Sequence, residues 1–456
     1  MGNEAVTDAK KRVLNLLDLG SFIEIDELKN DGVIAGYGTI LSRPVCVFAQ
    51  DSSVMSGAIT SKNCEKICKI IDMAIKTGVP LIGFYDSIGS KIDEGTDVFI
   101  GLQKVLSKLA NASGVIPQIS VITGSVTGIA TFAVSFSDFV FMIKDKSKMF
   151  INGPQVLTAT TGTDVTAESV GGADVHFNKT GVCQFVCEND EGCLDKVKEL
   201  LNYLPDNNLV DAEIIESDDS NRVCDDLLDD VVDVRKVINS ICDCNKFFEI
   251  SLGFAKNIIT GFTRIGGRVL GIVATGEDKI DIAGAKKASK FVRFCDAFNI
   301  PLVSLIDNDG FKPLVEEELN GLVKESARLL FAYSDATVPK VNIIYGKAFS
   351  GANLMFGTSA DMVLAWDSAK ISVIEPIKAV NILYSEEITN SESPVEFREN
   401  KLKEYMETNA LPKNAVGFID SIISPIDTRK MIISSLDMFS SKREVKNIRK
   451  HESLSF

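Results

Sequence analysis

The chain has 456 residues, 45% of them hydrophobic and 24% charged, with a formal net charge of −15. That length exceeds what one hydrophobic core organises and implies two domains of roughly 200 residues each. The negative balance and the lack of any basic run interleaved with aromatics exclude nucleic acid and direct insertion into anionic membranes.

The opening residues, MGNEAVTDAKKRV, have no apolar signal core, so a cytoplasmic chain with its ten cysteines reduced is expected. The pairs Cys64/Cys68, Cys183/Cys187 and Cys242/Cys244 lack zinc-ribbon spacing and read as buried thiols, with no metal expected. Only two histidines occur, His176 and His451, which argues against a His-dependent triad.

Val13, Leu16 and Leu17 predict a helix over 8–19, followed by an extended stretch at 21–25. Residues 33–41 and 45–50 alternate as a hairpin around Ser42-Arg43-Pro44. Ile67, Ile70, Ile71, Ala74 and Ile75 line one face of a helix over 63–78 that stops at Gly78. It feeds a strand at 79–85, whose end carries Asp86, Ser87, Gly89 and Lys91, and then a helix over 98–110. Next comes VIPQISVITGSVTGIATF at 115–132: an apolar strand, a glycine-punctuated turn and a small-residue helix start. No charge stands between Lys108 and Asp138, yet Pro117, Gln118, Ser120 and Thr123 interrupt the stretch. It therefore reads as a buried strand and helix rather than a membrane span. His176, after Gly171-Gly172-Ala173-Asp174-Val175, reads as a structural residue at a turn into a strand.

The second half repeats the first. TVPKVNIIYGKAFSGANLM at 337–355 has the grammar of 115–132, and even the lead-in helix returns, over 232–242. Gly36 and Gly261, Val79 and Ile300, Pro117 and Pro339, and Asp138 and Asp361 stand 225, 221, 222 and 223 residues apart. So constant an offset indicates an internal duplication, giving domains 1–230 and 231–456. The acidic stretch 205–243 reads as the connection, exposed at first and helical near its end. Beyond the repeat, the sequence predicts a polar loop at 386–394, a helix over 395–408, a short strand at 416–423 and a helix over 427–439 with the basic tail Ser441-Lys442-Arg443-Glu444.

Near-continuous apolar strands alternating with helices imply an α/β fold, with ligands bound where strands end and helices begin. Each half has two such ends: 87–91 with 124–130, and 307–311 with 346–352. Glycines there let the backbone approach a ligand and aim adjacent N–H groups at one oxygen. No activated nucleophile or paired catalytic carboxylates accompany them, which suits a reaction whose base and electrophile come from a cofactor.

These segments resemble the carboxyltransferase subunits of biotin-dependent acyl-CoA carboxylases and of sodium-pumping acyl-CoA decarboxylases. The residues carrying the resemblance include GYGTI from Gly36, VPLIGFYDS from Val79, SDFVFMIKD from Ser137, VTAESVGGADVH from Val165, GFTRIGGRVLGIVA from Gly261, NIPLVSLID from Asn299 and FIDSIISPIDTRKMI from Phe418. The resemblance implies two tandem crotonase-like domains of the ClpP/crotonase superfamily, assembled as a trimer of dimers, with acyl-CoA on the first domain and biotin on the second. It implies that Gly128 and Ile129 offer N–H groups to a thioester-derived enolate, and that Gly351 and Ala352 hold the biotin ureido oxygen. By the same likeness, Ser87, Gly89 and Lys91 bind the CoA ester and Gly310 and Phe311 face biotin; Asn353 and Leu354, just past the second turn, are the candidates for lining the acyl pocket. Biotin rides on a carrier protein, and a biotin carboxylase or membrane decarboxylase subunits complete the system.

Several loops depart from the family pattern. Ser87-Ile88-Gly89-Ser90-Lys91 replaces Ser-Gly-Gly-Ala-Arg, Thr127-Gly128-Ile129-Ala130 replaces Ala-Gly-Gly-Ala, and Ser350-Gly351-Ala352 replaces Gly-Gly-Ala. Two other readings therefore stay open beside the carboxyltransferase: a structural subunit that keeps the fold while its loops have drifted, and a crotonase-type hydratase or isomerase.

Overall fold

The computed structural model describes residues 6–27, 31–216, 218–228, 233–276, 278–357, 359–451 and 453. The chain divides into two compact units, one of residues up to Ala212 together with Ser251–Phe254, the other of Glu213–Ile250 and Ala255 onward. The division thus falls before the expected 230/231. The acidic stretch is exposed over most of 209–216 and ends in the helix Val234–Ile241, as expected, and its later part is tied to the second unit. Arg222 donates to Ser240 O at 2.9 Å and Cys242 O at 2.8 Å, Cys224 N–H donates to Ile426 O at 3.1 Å, and the fully buried Arg429 donates to Ile241 O and pairs with Asp243, both at 2.7 Å.

The first sheet holds β1 (Ile23–Glu24), β2 (Val33–Ile40), β3 (Arg43–Gln50), β4 (Leu81–Ser87), β5 (Gln118–Thr127), β6 (Phe139–Ile143), β7 (Lys148–Phe150) and β8 (Phe185–Cys187). Its order is β1-β2-β3-β4-β5-β6-β8, with β7 paired to the far end of β5. The second sheet holds β9 (Phe247–Ile250), β10 (Ile258–Ile265), β11 (Arg268–Thr275), β12 (Leu302–Asn308), β13 (Lys340–Phe349), β14 (Met362–Trp366), β15 (Lys370–Ser372) and β16 (Ser421–Ile423). It runs β16-β14-β13-β12-β11-β10-β9, with β15 on β13. Strand for strand the halves agree: three antiparallel strands, then a parallel run.

The local causes are duplicated as well. The hairpin turn at Leu41 and Ser42 has φ of 53° and 66°, and both N–H groups donate to Asp18, at 3.0 and 2.8 Å. In the second half Gly266 and Gly267 make the turn, donating to Asp243 at 2.9 and 2.8 Å. The helix Ser61–Thr77 starts on a reciprocal cap between Thr60 and Asn63 and ends at Gly78 with φ 66°, a left-handed stop that favours glycine. Its buried face, Ile67, Ile70, Ile71 and Ala74, joins Ile122, Val126 and Val140 in the first core. Each such isoleucine contributes about 1.5–3 kcal/mol when fully buried. Ile272, Val303, Ile343 and Leu364 anchor the second core.

Three predicted elements differ. A helix, Ser385–Asn390, occupies most of the expected loop at 386–394; it is largely exposed, so no apolar period announced it. Only Ser421–Ile423 of 416–423 is strand, because Gly417 turns with φ 84°. His176 leads no strand: it follows the short helix Ala173–Val175 and opens a wide helical turn, His176–Thr180. The basic tail is also more than a charged end. Lys442 donates to Val338 O at 3.2 Å and pairs with Asp361 at 2.9 Å, Lys446 donates to Ser334 O at 2.9 Å, and Arg449 pairs with Asp335. Cations thus gather at the C-terminal end of the helix Leu322–Asp335, where its dipole is negative. Among the described residues, no helix is long and apolar enough to cross a membrane.

Candidate active site

Strand β5 pairs first with β6, through residues 119–122, and then with β7, through residues 125–127. The Asp86 carboxylate sits against the bend between them and accepts the Ser125 N–H at 3.2 Å. A Cβ at Gly124 would lie 2.1 Å from Asp86 Oδ1, so only glycine admits this approach. In β13 the arrangement recurs: Asp307 accepts the Lys347 N–H at 2.7 Å, and a Cβ at Gly346 would lie 2.5 Å from the same carboxylate oxygen.

Past β5 the chain turns at Gly128, with φ 61°, and enters the helix Ala130–Ser135. The Gly128 N–H donates to Phe150 O at 3.1 Å, extending the β7 ladder. Past β13 the turning residue is Ser350, with φ 66°, and its N–H donates to Ser372 O at 3.1 Å in the β15 ladder. Ser350, not Gly351, is therefore the counterpart of Gly128. This corrects the expectation that Gly128 offers its amide to a ligand, since that hydrogen is already used. Among the described residues, the N–H groups of Ile129 and Ala130 on one side and Gly351 on the other have no acceptor. Ala352 N–H leans on its neighbour Ser350 Oγ at 3.4 Å. Ile129 has φ −68° and ψ −16° and packs its side chain on the first core, so its branching meets no left-handed backbone.

Ser87 and Gly89 stand beside the first turn. Ser87 pairs with Val126, Gly89 has φ 102° and donates to Ser87 Oγ at 3.1 Å, and a Cβ at Gly89 would contact Thr127 O at 3.4 Å. Asn308 and Gly310 repeat the pattern at the second turn: Gly310 N–H donates to Asn308 Oδ1 at 2.6 Å, and a Cβ at Gly310 would lie 2.7 Å from Ser350 Oγ. Phe311 is held in a bridge with Ile280. Lys91 lies 3.5 Å from Asp93 and 3.8 Å from Glu94, so two carboxylates already match the charge expected to meet a CoA phosphate.

Ser350, Gly351, Asn353 and Leu354 line a cavity of about 370 Å³ together with Ser372 and Tyr405. Tyr405, whose hydroxyl lies 3.2 Å from Ser372 Oγ, is a lining residue that the sequence did not disclose. It comes from the mostly polar helix Pro394–Thr408, whose position no local pattern specifies. A larger groove of about 710 Å³, between the helices Ser61–Thr77 and Asp97–Ala112, contains none of these turn residues; the unspent amides mark the site better than the volume does.

Both nitrogens of the buried His176 are engaged, by Met149 O at 2.7 Å and Thr180 Oγ1 at 2.9 Å. The ten cysteines are unpaired and eight of them are buried. Burial pushes the Cys46 and Cys64 thiols up to about 12, which leaves them unreactive. No cluster of metal-ligating side chains occurs among the described residues.

A fold made twice, with one matched turn past the central strand of each copy, resembles known proteins along nearly its whole length. The profile of the Carboxyl transferase domain matches residues 11–454, and the chain belongs to that family. It is 40% identical to the propionyl-CoA carboxylase carboxyltransferase subunit of Haloferax mediterranei and 38% identical to the methylmalonyl-CoA decarboxylase subunit alpha of Veillonella parvula, in each case over 97% of this chain and 92% of the relative. Its structure is similar to that of the transcarboxylase 12S hexamer solved with methylmalonyl-coenzyme A and methylmalonic acid bound. The TM-score is 0.94 at 38% identity, over 98% of this chain and 92% of that one.

Proposed function

We propose that the chain is the carboxyltransferase subunit of a biotin-dependent system, moving a carboxyl group between carboxybiotin on a carrier protein and the α-carbon of a short acyl-CoA such as propionyl-CoA. The observation that carries this reading is the pair of matched turns, each of which leaves main-chain N–H uncommitted just after a positive-φ residue. On the first side, Ile129 N–H, with Ala130 N–H, holds the thioester oxygen as negative charge develops on it. Losing one donor of such a site typically costs about 3 kcal/mol of barrier. On the second side, Gly351 N–H holds the ureido oxygen of biotin. The ring fits there: it needs a donor for its carbonyl and an apolar wall, and the cavity supplies Gly351 together with Leu354 and Ile371. Carboxybiotin, when bound, supplies the carboxyl group and a ureido nitrogen able to take the α-proton. This chain then need contribute no side-chain base, consistent with a His176 whose nitrogens are both spent.

The two halves are crotonase-like, the first serving acyl-CoA and the second biotin. Partners are a biotin carboxyl carrier protein with a biotin carboxylase or membrane decarboxylase subunits, in the cytoplasm, and the homo-oligomer is a trimer of dimers. The test is isotope exchange: label from the carboxyl of methylmalonyl-CoA should appear on free biotin. Assembly of the oligomer with no exchange from malonyl- or methylmalonyl-CoA would instead establish a non-catalytic structural subunit.

A further inference from the structure

The second turn holds one group that this reaction has not yet used. Asn353 is 4% exposed and lines the cavity next to Gly351. Its Nδ2 donates to Ser350 O at 3.3 Å, and its buried Oδ1 has no hydrogen-bond partner. Contact with a carbonyl oxygen requires the NH2 end of the amide at that position, which fixes Oδ1 as the atom left over. The first half shows the contrast. There Thr131, in the equivalent place, makes the same contact to Gly128 O at 2.7 Å through its hydroxyl, and no amide oxygen remains.

A buried acceptor without a donor is costly, and among the described residues Asn353 Oδ1 is the one such side-chain atom whose residue lines this cavity, where a bound molecule can complete the bond. The neighbouring main chain narrows the chemistry. Ala352 N–H leans on Ser350 Oγ at 3.4 Å, which leaves Gly351 N–H as the uncommitted donor. One donor and one acceptor two residues apart, lining the same cavity, complement a group that carries C=O beside N–H. An ester or a carboxylate has no N–H for the acceptor; a urea has both.

We infer that Asn353 Oδ1 accepts a ureido N–H of biotin while Gly351 N–H takes the ureido oxygen, so that Asn353 selects the biotin-side ligand instead of lining the acyl pocket. This rests on the reading of the second half as the biotin side. The test is equilibrium binding to the full-chain oligomer, using biotin, 2-imidazolidinone and its 1,3-dimethyl derivative, which keeps the carbonyl but lacks N–H. Wild type should bind 2-imidazolidinone about fivefold to tenfold more tightly than the dimethyl compound. Asn353→Leu should erase that preference and weaken biotin by the same factor, with methylmalonyl-CoA affinity unchanged, whereas Thr131→Val should leave biotin affinity as it was. Equal binding of the two ureas by wild type, or unchanged biotin affinity in Asn353→Leu, overturns the role of Asn353 and leaves the biotin side standing. Binding of the CoA ester with no binding of biotin overturns both.

Discussion

Gly124 and Gly128 lie four residues apart and should respond in opposite ways to a side chain. At Gly124 the added Cβ meets the Asp86 carboxylate at 2.1 Å. Gly124→Ala should therefore cost about 2–4 kcal/mol in urea unfolding. At Gly128 nothing lies within 4 Å, and the cost is only that of φ 61°. Because Ser350 already sustains φ 66°, Gly128→Ser should cost about 1 kcal/mol; a larger loss than at Gly124 would refute this account of the bend. Ile129 offers a sharper probe of chemistry. Its φ of −68° suits proline, which removes the N–H at little conformational cost. Ile129→Pro should lower exchange about 10²–10³-fold while the helix content, followed by circular dichroism, stays level. The sequence located this turn but misassigned its donors. Whether Gly128 N–H is free depends on the three-residue strand β7, 20 positions away, and nothing local to the turn reveals that pairing.

Among the elements, what could be read in advance followed the strength of the apolar signal. The helix Ser61–Thr77 and strand β5 were legible from period and punctuation, whereas Ser385–Asn390 and the placement of Tyr405 were not, since exposed polar helices carry no such signal. Lys340 tests another hidden feature. It is 1% exposed and donates to Tyr333 O and Ser359 Oγ, each at 2.9 Å, near the end of the helix Leu322–Asp335. Its first-half counterpart is Gln118, which donates to Leu109 O at 3.1 Å. Burial pulls the Lys340 ammonium from 10.5 down to about 8. Below pH 8 it is charged in both states, and folding bears the desolvation cost. From about 8 to 10.5 the unfolded chain holds the proton and the folded chain does not, so wild-type stability gains with rising pH. The melting-temperature difference, Lys340→Gln minus wild type, should accordingly fall between pH 7 and 10; a difference that stays flat would mean the ammonium is not desolvated.

For the whole molecule, the duplication was legible because it lies in strands, whose apolar residues and glycines are fixed by packing. How the acidic segment is anchored was not, because Arg222 and Arg429 hold its later part through main-chain carbonyls that no local pattern announces. If the family assembly applies, light scattering should give six times the chain mass, and Gly351→Pro should abolish exchange without changing that mass. Persistence of exchange in that variant would move the biotin site away from the second turn.

The charged tail gives the last residues an unexpected reach. Lys442 meets a carbonyl 104 positions upstream, and Lys446 meets one 112 positions upstream. Clipping the chain behind Met438, by a protease or by choice of a stop codon, would strip the counter-charge from the end of Leu322–Asp335. The injury would then register where strand β13 begins, a full strand's length from the second turn, rather than at the cut.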